Sequence, residues 1–117
     1  MNVEELRDYC LSLGDVSEKL PFSKFHGGEN ILVFYTAGHM FAYFDINDLS
    51  SVTLKCQPDR IPVLKEQYPF IDCPYNGDAR YWIGVDATRA ENPLLRQLIR
   101  DSYDIVKTKF SKQRERK

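Results

Sequence analysis

Residues 30–56 constrain the fold more than any other part of the chain. Ile31, Val33 and Tyr35 interleave with Leu32, Phe34 and Thr36, and nearly every one is β-branched or aromatic. Such residues suit a pleated, half-buried surface. Thr36-Ala37-Gly38 supplies a short turn in which Gly38 can take a positive φ at little cost. His39-Met40-Phe41-Ala42-Tyr43-Phe44-Asp45 then runs back, and Val52-Thr53-Leu54-Lys55-Cys56 alternates once more. The spacing predicts an antiparallel sheet begun by this hairpin. Two amphipathic helical patterns, at opposite ends of the chain, must bury their apolar faces on it.

The first of these covers Asn2 to Leu13, where Val3, Leu6, Cys10 and Leu13 recur at helical spacing. Asn2 is placed to cap it with Glu5 reaching back, and Gly14 to end it. Val16 to Phe22 is expected to be extended, because Pro21 biases Leu20 away from helix. Ser23 to Asn30 is a loop; its Gly27-Gly28 pair lacks the Lys-Ser/Thr and helix start of a phosphate loop. Asp45 to Ser51 reads as a polar connection. A short helix follows Gln57-Pro58, capped by Asp59, with Pro62 in its first turn and Ile61, Leu64 and Tyr68 as its apolar stripe. Phe70 to Ala79 reads mostly as loop, and Arg80 to Asp86 as the last strand. There Tyr81, Ile83 and Val85 share one face, and Arg80, Trp82 and Gly84 the other. Gly84 marks a bulge or the close approach of another backbone. Asn92 as cap and Pro93 at the first position start the final helix, whose apolar stripe is Leu95, Leu98, Ile99, Ser102, Tyr103, Val106 and Phe110.

At 117 residues the chain is one domain, residues 1–111, with a basic, frayed tail at 112–117. No apolar run approaches the roughly 20 residues of a membrane span, and an acidic N-terminus is unlike a secretory leader; the expected compartment is the cytoplasm. Cys10, Cys56 and Cys73 are odd in number and widely spaced. They read as small buried thiols rather than a disulfide framework. Net charge is −1, but residues 107–117 hold six basic residues and one acid. An acidic body of −6 therefore carries a tail of +5. That tail reads either as a solvated helix end opposing the dipole or as an arm that neutralises phosphates.

Nothing in the chain assembles a catalytic constellation. His26 and His39 are the only imidazoles, and neither His-x-x-x-His nor Cys-x-x-Cys spacing occurs. The reading is a non-enzymatic protein with no cofactor and no metal. Two features fit nucleic acid. Lys55 faces opposite to Val52, Leu54 and Cys56, and Arg80 precedes Tyr81 and Trp82 on a strand that follows a Gly-containing loop. The competing reading has Trp82 packed in the core and Arg80 paired with an acid.

Several pieces together resemble the MmcQ/YjbR family of small proteins. Gly38-His39-Met40-Phe41-Ala42 is similar to its Gly-Lys-Met-Phe strand, and Leu54-Lys55-Cys56-Gln57-Pro58 to its Leu-Lys-Cys-Asp-Pro step. Tyr68-Pro69, Tyr75 and Trp82 match its Tyr-Pro…Tyr…Trp segment, and Ser102-Tyr103-Asp104-Ile105-Val106 its Ser-Tyr-Glu-Leu-Val run. His39 replaces the family's lysine, and Asp78-Ala79-Arg80-Tyr81 its basic stretch before the Trp. The resemblance implies an α+β, CyaY-like (frataxin-like) fold. In it an antiparallel sheet carries the N- and C-terminal helices on one face, in α-β-β-β-β-α-β-α order. It also implies double-stranded DNA as partner, met through a double-wing surface by a monomer or weak homodimer. The residues placed to contact DNA are His39, Lys55, Arg80, Lys107, Lys109, Lys112 and Arg114. Two other readings stand beside it: a protein-interaction or small-ligand module, and an acidic-ridge iron binder using Glu4, Glu5, Asp8, Asp15 and Glu18.

Overall fold

The hairpin of residues 31–45 lies inside a six-stranded sheet formed by the described residues. The computed structural model describes the backbone of residues 1–115 and the side chains of residues 1–110. Its elements are α1 (Val3–Ser12), β1 (Val16–Lys19), β2 (Ile31–Thr36), β3 (His39–Asp45), β4 (Asp48–Lys55), α2 (Ile61–Gln67), β5 (Ile71–Asp72), β6 (Trp82–Val85) and α3 (Asn92–Glu115). The strands lie in the order β1-β2-β3-β4-β6-β5, every neighbouring pair antiparallel. The expected element order is present, with the two-residue β5 added where the sequence reads as loop. The proposed tail, residues 112–117, falls outside the described side chains.

One face of the sheet is covered by helices. Phe34, Ala42, Leu54 and Ile83 stand side by side across four strands and join Phe41, Phe44, Val52 and Val85 in the core. Leu6 and Cys10 of α1 enter it from one side, and Ile61 and Leu64 of α2 from another. The predicted stripe of α3 supplies the rest: Leu95, Leu98, Ile99, Ser102, Tyr103 and Val106 are all buried. At roughly 1.5–3 kcal/mol per large apolar side chain, this stripe is what fixes α3 to the sheet. Asn2 and Glu5 form the reciprocal cap expected for α1, and Gly14 follows with φ +92°.

Several local expectations are corrected. The hairpin turn is Ala37-Gly38 alone, both with positive φ, the twist that matches two flanking strands. Residues 48–51 belong to β4. Asp45 pairs with Asp48 around the two-residue turn Ile46-Asn47, whose N–H groups donate to Asn30 O and to the Asp45 side chain; within β4, Ser50 N–H donates to the Asp48 side chain. Asp59 does not cap α2; Arg60 occupies that position and makes no side-chain cap bond. Asn92 lies inside α3, since Leu95 N–H already bonds Glu91 O. Gly84 marks a close approach: a Cβ there would stand 2.6 Å from Cys73 O.

Cys10 and Cys56 are buried as expected, but Cys73 is exposed, because it follows the short edge strand β5. Burial pushes the Cys10 thiol up to about 12, which leaves it unreactive near neutral pH. A disulfide reagent should therefore titrate one thiol quickly in the native protein and the other two only after denaturation. Cys73→Ser should abolish the fast equivalent; fast labelling that persists in this variant would contradict the packing of Cys10 and Cys56.

Candidate nucleic-acid interface

One end of the sheet gathers the β2–β3 turn, the end of β4 and the start of β6. A bulge at this end shapes it: Phe34 faces Ala42 and Tyr35 faces Met40, so Phe41 is the extra residue of β3. Ser102 of α3 fills the resulting gap between β3 and β4. Its hydroxyl accepts from Lys55 N–H at 2.8 Å and donates to Phe41 O, completing a ladder that no longer closes directly. This bridge carries the last turns of α3 over the same end of the sheet.

Three of the sequence-predicted contact residues meet there. Lys55 lies opposite Trp82 on the neighbouring strand, with Nζ 5.6 Å from the indole centroid. Partial burial, then the charge of Lys109, holds its pKa below the ordinary lysine value. His39 stacks on Phe110, with centroids 3.4 Å apart and planes inclined by 13°, and Lys109 Nζ sits 5.3 Å from the Phe110 ring. Lys55 and Lys109 also line a shared groove of about 540 Å³ with Tyr81 and Asp104. Asp104 pairs with Arg100 at 3.7 Å, and neither lysine is in an ion pair among the described residues.

The other expected contacts are placed differently. Arg80 is clasped by Asp78, whose carboxylate accepts from its guanidinium at 2.9–3.3 Å and is held below the usual carboxylate range by it. The pairing with an acid that the sequence allowed is thus present. Trp82, however, is half-buried on the helix-free face beside Tyr43, at 5.9 Å, and is not in the helix-side core. Lys107 turns to Tyr103, donating to its hydroxyl at 2.8 Å, and Tyr103 in turn donates to Gly14 O. The side chains of Lys112 and Arg114 lie outside the described residues.

The helix-free face holds a feature the sequence reading missed. Alternation puts Ile31, Val33, Tyr35 and Tyr43 on it. Ile31 and Val33 are buried there yet do not belong to the helix-side core. The loop after β1 folds back beside Ile31, leaving Phe22 and Phe25 exposed at its rim, and Tyr75 O accepts from the Tyr43 hydroxyl at 2.8 Å. The cavity between these segments measures about 380 Å³. Its only sequence signal was the odd clustering of Phe22 and Phe25 in an otherwise polar loop.

Two of the five acidic residues near the N-terminus are engaged locally. Glu5 serves the α1 cap and Glu18 pairs with Arg7. Among the described residues no three His, Cys, Asp or Glu side chains come together as a metal-binding group. No helix among them is long and apolar enough to cross a membrane.

Comparison with solved structures shows two similar folds. One is the Deinococcus radiodurans protein DR2400, a DUF419 domain, 28% identical, with a TM-score of 0.81 over 91% of this chain and 78% of that one. The other is a Pseudomonas syringae protein, 21% identical, with a TM-score of 0.74 over 91% of this chain and 99% of that one. No curated protein matches the sequence. The YjbR family model matches residues 11–105, a span that runs from the end of α1 into α3 past Tyr103 and includes His39, Lys55 and Ser102. With that coverage and the shared α+β architecture, the chain belongs to the YjbR family.

Proposed function

We propose that this protein is a non-enzymatic cytoplasmic module that binds double-stranded DNA, as a monomer or weak dimer, through the end of the sheet that carries Lys55. The observation supporting this reading is the Lys55–Lys109 pair: both line one groove, Lys55 is held below the ordinary lysine value by partial burial and then by the charge of Lys109, and neither has an ion-pair partner among the described residues. A phosphate between them relieves that repulsion and places charge where the fold has concentrated it. The Ala37-Gly38 turn and the segment holding Arg80 and Tyr81 rise on either side of Lys55 and act as the two wings. His39, stacked on Phe110, stands at the base of the first.

Each lysine contact with a phosphate contributes about 0.9 to the slope of log affinity against log salt on duplex DNA. Fluorescence anisotropy with a labelled duplex of about 20 base pairs should therefore show binding that weakens steeply between about 50 and 200 mM salt. Lys55→Ala with Lys109→Ala should weaken binding about tenfold or more and flatten the slope by nearly 2. Absence of binding at low salt, or an unchanged slope in the double variant, would remove the proposal.

A further inference from the structure

Next to the aromatic cavity on the helix-free face lies a second, polar lobe of about 210 Å³, and the two share Ile31, Tyr43 and Tyr75. The polar lobe is lined by Asp45, Asp48, Ser50, Ser51 and Thr53. Thr53 is fully buried. Its Oγ1 faces the Tyr43 hydroxyl across the strand pair but completes no well-formed hydrogen bond, alone among buried side-chain polar atoms of the described residues. A buried hydroxyl left in this way calls for a partner from the cavity it lines. The Tyr43 proton is already committed to Tyr75 O. Beside Thr53, Asp48 is held below the usual carboxylate range by the Ser50 hydroxyl and N–H.

We infer that this two-lobed cleft binds a small aromatic amine, its planar ring between Phe22, Phe25 and Tyr75 and its ammonium group among Thr53, Asp45 and Asp48. The ring meets apolar walls at one end. The cation finds two carboxylates and the free lone pairs of Thr53 Oγ1 at the other, all acceptors for an ammonium that can only donate. The combined size falls within the roughly 300–1,000 Å³ of ordinary small-molecule sites. An anionic ligand would face the carboxylates and is disfavoured. The site is separate from the Lys55 corner and stands or falls independently of DNA binding.

Calorimetric titration of the full chain with tryptamine is expected to give saturable heat. Indole-3-propionate, which keeps the ring and reverses the charge, should give none. Amide chemical shifts should move at Gly27, Gly28, Thr53 and Asn76. Thr53→Val removes the unpartnered hydroxyl at nearly constant volume, so the fold persists; it and Asp48→Asn should each weaken tryptamine about tenfold. No saturable heat up to about 10 mM tryptamine, equal affinity for the propionate, or shifts confined to the Lys55–Trp82 corner would each overturn the inference.

Discussion

Ser102→Ala should destabilise the protein by about 2–4 kcal/mol, far more than loss of one hydroxyl suggests. The serine serves two backbone groups at once, accepting from Lys55 N–H and donating to Phe41 O at a fully buried position. Alanine leaves both without partners in the interior, and each orphaned group costs about 1–3 kcal/mol. The strands do not close the gap themselves, because their pairing ends at Ala42 and Leu54, one position short of Phe41 and Lys55 and beside the bulge at Phe41. Against a total stability of roughly 5–15 kcal/mol, the loss would move a urea midpoint by more than 1 M. A shift corresponding to under about 1 kcal/mol would mean that Ser102 does not carry the ladder. The same variant loosens α3 where Lys109 and Phe110 sit, so it should weaken the proposed DNA binding beyond its effect on the folded fraction.

Phe41→Ala should cost about 3–5 kcal/mol, the range for deleting a buried ring. Phe41 is completely buried and meets Tyr103 edge-on at 5.5 Å and Phe34 at 6.4 Å. It is the contact at which sheet and α3 lock, and its removal opens a cavity that neither neighbour can fill without leaving its rotamer. Phe41→Leu, which keeps much of the volume, should lose less than half as much in the same urea titration. A loss for Phe41→Ala no greater than that for an exposed phenylalanine such as Phe25 would refute the described packing.

The sheet and the two long helices were legible because their periodicities are strong. The period-two run of residues 31–45 and the 3.6-period stripe from Leu95 to Val106 each name their own buried face. Alternation also put Lys55 and Trp82 on the face away from Ile83 and Val85, where they stand. What escaped was set by backbone pairing. Residues 48–51 and Ile71–Asp72 join strands through hydrogen bonds that polar and apolar side chains serve equally. Asp59 and Asn92 read as caps by residue type, whereas cap geometry one position away decided the matter. The candidate site was legible only as separate residues. His39, Lys55 and Lys109 lie far apart in sequence, and their meeting depends on where Ser102 pins α3. The aromatic cleft depends on two loops meeting over one sheet face, which no local pattern encodes.

The sheet's two outer strands are its shortest or nearly so. β5 has two residues and runs into Pro74, while β1 has four, ends at Lys19 and is followed by Pro21. Neither margin offers a long row of free backbone groups, and both carry charge or proline beside it. A neighbouring molecule therefore finds no template on which to add a strand, which guards against fibrous aggregation when the protein is crowded. Association of two copies by strand addition is thereby disfavoured, and a contact between copies would rest on side chains.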